Sequence, residues 1–168
     1  MRLTSKGRYA VSAMIDLTKN QHNGPVNLAA ISDRQFISLS YLEQLFRRLR
    51  EGGLVKSVRG PGGGYLLNRE PVEITVSDVI RAVDEQIKAT RCVNALRGCH
   101  RGNRCDTHEL WDALGMHIYR FLDVVTLQDV CDKKVSLEGV DLAPVEQYAA
   151  TPMPQPIKMM DKRVAAVS

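Results

Sequence analysis

Apolar positions recur along the first half of the chain with the spacing of packed helices. Tyr9, Ala10, Ala13, Met14 and Leu17 follow one another at helical intervals, which predicts a first helix over about residues 5–19. Asn23-Gly24-Pro25 breaks that pattern. A short extended Val26-Asn27 leads into a second helix, about 28–35, with Leu28, Ala30 and Ile31 turned inward. The turn Phe36-Ile37-Ser38 separates it from a third helix, about 39–51, whose inward stripe is Leu42, Leu45, Phe46 and Leu49. Gly52-Gly53 stops this helix, because glycine accepts the left-handed conformation beyond a helix C-terminus.

The period then changes. Two short extended segments, about 54–58 and 65–67, bracket Arg59-Gly60-Pro61-Gly62-Gly63-Gly64, the pattern of a hairpin with a glycine-rich loop. A fourth helix is expected over about 76–85, after Pro71, with Thr75 or Ser77 as its N-cap. Three helices followed by a hairpin is the order of a winged helix-turn-helix.

Further on, Leu110, Trp111, Leu114, Ile118, Phe121, Leu122 and Val125 keep the helical period, predicting a long helix over about 107–125. Met116 and Tyr119 widen its apolar surface beyond what one helix buries against a small domain. Packing against a twin and the twin's winged domain in a homodimer is the expected solution, with an ordinary intramolecular core helix as the lesser alternative. From about residue 136 the pattern fails, and Pro144, Pro152, Pro154 and Pro156 punctuate what is expected to be a flexible tail. The expected fold class is mainly α with a small β-hairpin wing. A winged helix-turn-helix domain spans 1–88, a ligand-bearing loop 89–108, a dimerisation helix region 107–131 and a tail 136–168.

With 168 residues, 44% apolar and 25% charged, the chain has room for one full domain, or a small domain with an oligomerising arm. The placement of charge says more than its sum. Residues 1–69 carry 11 Lys/Arg against 4 Asp/Glu, whereas residues 70–168 carry 12 against 15. A basic first part beside an acidic remainder points to a polyanion-binding surface at the front. The first residues lead into an amphipathic stretch with no continuous apolar run of a secretory signal, and nothing approaches the length of a bilayer span. A cytoplasmic location, with no membrane partner, is expected. Clustered thiols in that compartment favour metal or redox chemistry over disulfides.

If the third helix lies in a major groove, the side chains opposite its apolar stripe meet the base edges: Ser38, Ser40, Tyr41, Glu43, Gln44, Arg47 and Arg48. Glutamine pairs with adenine, glutamate accepts from cytosine N4, and serine serves either. Arg47, Arg48 and Arg50 lie further along, where phosphate contacts are more common. Glu43 repels phosphate and tolerates few bases, so it can reject unwanted sites. Its alternative role is in a capping box with Ser40; a cap at Ser38 would leave Glu43 to read DNA. The wing could place Arg59 in the minor groove while Gly60, Pro61 and Gly62 bring the backbone to phosphates. Arg2, Lys6 and Arg8 enter the first helix as candidate phosphate contacts or as a solvated face. The wing is not a nucleotide-binding loop, since no Gly-Lys-Ser/Thr follows it.

Three of the four cysteines, Cys92, Cys99 and Cys105, fall within fourteen residues, and His108 follows the last. Soft donors on one short loop suit a thiophilic metal far better than magnesium or calcium. Three cysteines and a histidine form a zinc set, and they serve equally for a 2Fe–2S cluster with one imidazole ligand, so the spacing alone leaves both open. Arg91, Arg97, Arg101 and Arg104 offset the thiolate charge. His100 rivals His108 as the fourth donor, although His108, at the start of a helix, is better fixed. Cys131 stands alone and is expected to behave as a small apolar residue. No nucleophile-base arrangement stands out, and no enzymatic activity is expected.

Read together, residues 1–10 (Met-Arg-Leu-Thr-Ser-Lys-Gly-Arg-Tyr-Ala), 37–45 (Ile-Ser-Leu-Ser-Tyr-Leu-Glu-Gln-Leu), 58–65 (Val-Arg-Gly-Pro-Gly-Gly-Gly-Tyr) and Ala89-Thr90-Arg91-Cys92 with Cys105-Asp106-Thr107-His108 resemble the bacterial winged-helix iron–sulfur transcription regulator family. The resemblance covers about residues 1–130. It implies a homodimeric regulator of double-stranded DNA operators, carrying a 2Fe–2S cluster on Cys92, Cys99, Cys105 and His108 delivered by the iron–sulfur cluster assembly machinery. Such proteins repress their own cluster-assembly operon when the cluster is present, and their apo form controls a second class of promoters. One departure is that six residues separate Cys92 from Cys99, where the family usually has five; a loop absorbs one residue. A structural zinc site, a nitric-oxide-sensing cluster repressor, and a redox enzyme or cluster carrier are the competing readings.

Overall fold

Helix α1 (Ser5–Asn20) is amphipathic as its sequence requires, burying Ala10, Ala13, Met14 and Leu17. It belongs to a computed structural model that describes residues 5–84 and 105–135. A 3-10 turn at Gln21–Asn23 and Gly24, at φ 115°, reverse the chain. Asn27 then caps α2 (Leu28–Gln35), its side chain accepting a 2.8 Å hydrogen bond from the Ala29 N–H. Helix α3 (Leu39–Glu51) follows after a tight turn and buries the stripe Leu42, Leu45, Phe46 and Leu49 against α1 and α2.

Strands β1 (Val55–Val58) and β2 (Gly64–Leu67) pair antiparallel, Val55 opposite Leu67 and Val58 opposite Gly64. Val26 adds a short third line to this hairpin, exchanging two 2.9 Å backbone hydrogen bonds with Tyr65. That close approach explains Gly64: a Cβ there would lie 2.4 Å from the Val26 carbonyl oxygen. The Phe46 and Tyr65 rings meet edge-on with centroids 4.9 Å apart, so the hairpin is held against α3 by packing rather than hanging free.

Helix α4 (Val76–Ala82) begins at a reciprocal Thr75–Asp78 capping box, which selects Thr75 over Ser77 as the cap. It is shorter than the expected 76–85, because Asp84 turns left-handed at φ 56°; residue 85 lies outside the described residues. After α5 (His108–Val124) comes α6 (Leu127–Cys131), a helix the periodicity does not predict. It too starts at a capping box, Thr126–Asp129. The connection between them doubles back on the chain before α4: Val76 N–H donates to the Val125 carbonyl at 2.8 Å and Leu127 N–H to the Ile74 carbonyl at 2.9 Å.

This docking changes how the long helix is used. Tyr119 and Val125 are buried with Val76 and Ile80, with Ile118, Phe121 and Leu122 packed around them, and Leu127 enters the main core. Much of the apolar surface that the sequence assigns to a twin is thus covered by the chain's own α4 and α1. Leu110 (59% exposed), Trp111 and Leu114 remain outside, in the first half of α5. Residues 89–104 of the expected loop and the 136–168 tail lie outside the described residues. No described helix is long and apolar enough to cross a membrane.

Candidate nucleic-acid interface and metal loop

The position of α3 depends on an acidic group that the hydrophobic pattern conceals. Asp16, buried on α1, accepts from Arg34 Nη2 at 2.6 Å, from Arg34 Nε at 3.0–3.1 Å and from Gln35 Nε2 at 2.9 Å, both donors lying at the end of α2. Burial by itself raises the carboxyl pKa. The bonds from Arg34 and Gln35, the Arg34 charge and the Asn20 amide outweigh it and hold the group below the usual carboxylate range. A buried carboxylate is stable here because nearly every lone pair is used. The pair fixes the direction of α2, and hence the turn from which α3 departs.

On α3, Ser38 occupies the N-cap position without a side-chain capping bond, and the helix begins at Leu39. Ser40 therefore lies inside the first turn, and the capping-box role considered for Glu43 does not apply. Ser38, Ser40, Glu43, Gln44 and Arg47 are exposed along one side of the helix, opposite the buried stripe. Tyr41 is only half available, since its ring packs edge-on against Tyr9 at 6.1 Å. Arg47 is held by Glu51 at 3.1 Å and Arg48 approaches Asp84 at 3.7 Å; both pairs are solvent-facing and worth little, so either arginine is readily given up to a phosphate. At the hairpin turn Arg59, Gly60, Pro61 and Gly62 are all exposed, with Gly60 at φ 110° and Gly62 at φ 76°, conformations that favour glycine. Arg2 lies outside the described residues. Two exposed groups beside this surface escape the sequence reading: Lys56, on β1, and Phe36, in the turn before α3.

Of the expected metal donors, Cys105 and His108 are described. His108 opens α5 and its N–H donates to the Cys105 carbonyl at 3.0 Å, which sets the two on one turn. The imidazole is buried, with Nε2 3.1 Å from the Asp112 carboxylate one turn on. Such a carboxylate commonly orients the ring of a metal-bound histidine. The Cys105 thiol is partly exposed, 3.6 Å from the Thr107 hydroxyl and just ahead of the first residue of α5. A thiol and an imidazole three residues apart in the chain are donor types that a thiophilic metal or cluster accepts. Cys92, Cys99 and the rival His100 lie outside the described residues, and among the described residues no three candidate ligands gather. Cys131 sits at the end of α6, partly buried, its thiol pKa pushed up by that burial.

Contacts run from α5 back to α3. The buried Ser77 hydroxyl and the Arg81 guanidinium of α4 both donate to Asp123 of α5. Next to Arg81, Ala82 packs so closely on the end of α3 that a Cβ at Gly52 would lie 2.9 Å from its own Cβ.

Comparison with known proteins agrees with this arrangement. The profile of the family described as "Rrf2: Iron-dependent Transcriptional regulator" matches residues 3–133. The HTH-type transcriptional regulator IscR of Yersinia pseudotuberculosis serotype O:1b (strain IP 31758) is 57% identical over 141 residues, spanning 84% of this chain and 85% of its own. Among solved structures, T. potens IscR superposes with TM-score 0.65 at 38% identity, covering 88% of this chain and 96% of that one. CymR (YrzC), the global cysteine regulator of B. subtilis, superposes with TM-score 0.67 at 35% identity, covering 79% and 98%.

Proposed function

This chain belongs to the Rrf2 family of winged-helix transcriptional regulators, which are not enzymes, and from that premise we propose that it senses iron–sulfur status through a 2Fe–2S cluster. Cys92, Cys99, Cys105 and His108 hold the cluster, and α3 with the wing reads double-stranded operator DNA. The cluster-loaded homodimer represses the operon that builds iron–sulfur clusters, the assembly machinery acting as donor, while the apo form controls further promoters. The observation that carries this reading is the backbone turn that joins Cys105 to His108 at the N-terminus of α5.

The cluster, when bound, supplies a group whose loading follows iron and sulfide supply. The chain's own residues do the rest. Cys105 and His108 fix where the loop enters α5, and Asp112 holds the imidazole plane. Asp123, Ser77 and Arg81 tie α5 to α4, and Gly52 packs α4 on the end of α3. Ordering the loop therefore biases the pose of α3, and Ser38, Ser40, Tyr41, Glu43, Gln44 and Arg47 meet a given operator differently in the two states. The exposed Leu110, Trp111 and Leu114 are the surface through which the twin docks.

An anaerobic absorption spectrum with iron and sulfide analysis on freshly isolated protein tests the cofactor. Two irons and two sulfides per chain, lost when Cys92, Cys99 and Cys105 are changed to serine, are expected. A colourless protein containing zinc and no acid-labile sulfide overturns it.

A further inference from the structure

Phe36 closes α2 with φ 54° and ψ 40°, and its side chain is 94% exposed. Neither local preference nor packing accounts for a phenyl group there. The left-handed backbone sets Cβ against the following carbonyl and favours glycine. The ring contributes almost nothing to the core. A strained, bulky, fully displayed side chain points to a contact outside the chain.

The mount is rigid. Phe36 N–H donates to the Ser32 carbonyl, Ile37 N–H donates to the same oxygen at 3.3 Å, and Ser32 Oγ donates to the Ile37 carbonyl at 2.6 Å. Ile37 is itself buried at 4% exposure, so the turn is pinned to the core. A ring held this way loses little freedom when it meets a partner.

The position selects the partner. Phe36 lies two residues before Ser38, at the junction between α2 and α3. In a helix-turn-helix the first helix crosses the DNA backbone and the N-terminus of the second enters the major groove, so the turn sits at the groove's edge. Leu39, 41% exposed on the first turn of α3, continues the apolar surface toward the bases. A phenyl ring offers no donor to a phosphate. The apolar group that B-DNA presents in the major groove is the thymine C5-methyl.

We propose that Phe36 is a specificity-determining DNA contact that packs on a thymine methyl at the margin of the site read by α3. The inference rests on α3 being the base-reading helix and is independent of the cluster.

The test uses the full-length chain, isolated anaerobically, and a duplex it selects from a random-sequence library. Each thymine is replaced in turn by uracil, which removes only the methyl. At one position per half-site the parent loses about fourfold in affinity, the equivalent of one buried methyl group. Phe36→Gly and Phe36→Ala bind the thymine duplex more weakly by a similar factor and no longer distinguish uracil there. Phe36→Gly, freed of the strained backbone, melts at a higher temperature than the parent, so lost discrimination is not lost folding. Indifference of the parent to uracil at every position overturns the proposal. So does a Phe36→Gly variant that keeps the discrimination, or one that weakens equally on both duplexes, as a sugar contact would. Unchanged DNA affinity with reduced transcription by RNA polymerase would reassign Phe36 to a protein partner and also overturns it. Gln44→Ala on the same library isolates the premise: unaltered base preference there removes α3 as the reader, whatever Phe36 does.

Discussion

Changing Asp16 to asparagine keeps the side chain's volume and removes its charge, which tests whether α2 is fixed by electrostatics or by packing alone. The Asp16 side chain is 4% exposed and the Arg34 side chain 39%. Breaking a buried ion pair by removing one partner costs about 3–5 kcal/mol when the remaining charge stays buried. Arg34 can turn into water, so the lower part of the scale applies, and the loss of hydrogen bonds to a charged group puts the expected cost at about 2–3 kcal/mol. For a domain of this size that corresponds to a fall in Tm of roughly 10 °C. Urea denaturation followed by far-UV circular dichroism measures it.

The pH dependence supplies an independent check. The folded-state pKa of Asp16 is held down, so its stabilisation is complete above the unfolded value of about 3.9 and disappears as pH falls through the lower folded value. The gap between parent and Asp16→Asn should therefore be constant near neutrality and close in acid, because only the parent carries the titrating group. A gap below about 0.5 kcal/mol at pH 7, within the range of ordinary surface changes, or one equally wide at pH 7 and pH 3, would refute the electrostatic account.

Glu43 is exposed and outside any capping box, so Glu43→Ala should leave the melting temperature within about 2 °C while broadening the sequences bound from a site library; an unaltered preference would end its discriminating role. Gly64→Ala drives a Cβ to 2.4 Å from the Val26 carbonyl and should cost about 2 kcal/mol or more, with wing-dependent DNA affinity falling too; a variant as stable as the parent in urea would contradict the bridge. Leu114→Glu places a charge on the apolar surface left open by α5, the surface proposed for the twin, and should lower the sedimentation coefficient toward that of a monomer; an unchanged value would remove this surface as the interface.

The elements most legible in the sequence were those with unbroken periodicity. The stripe Leu42, Leu45, Phe46, Leu49 marks α3, and Leu28 with Ile31 marks α2, because each helix buries one face against a single core; the Asn27 cap does not show in that pattern, where the residue reads as extended. The start of α5 is also legible, as is the breadth of its apolar surface. Periodicity shows how much apolar surface a helix carries, not which chain covers it, and Ile118, Tyr119 and Phe121 turn toward α4 of the same chain. Helix α6 spans five residues, too few to show a period, and its signal was the Thr126–Asp129 cap. Asp16 was hidden because an acid in an amphipathic helix reads as solvent-facing until its partner, eighteen residues away, is brought alongside. Phe36 shows in the sequence only as part of a turn, since a sequence does not reveal backbone handedness. At the metal loop the sequence offers Cys92, Cys99, Cys105, His108 and the rival His100, and the geometry adds the turn joining Cys105 to His108 and the Asp112 contact behind it.

The sensor claim is tested most directly by titrating two kinds of promoter DNA anaerobically with the cluster-loaded chain and with the Cys92→Ser, Cys99→Ser, Cys105→Ser variant. One probe is the promoter of the cluster-assembly operon and the other a promoter bound by the apo form. The account predicts at least a tenfold weaker affinity of the variant for the first and comparable affinities for the second. Equal affinities of both proteins on both promoters would contradict it.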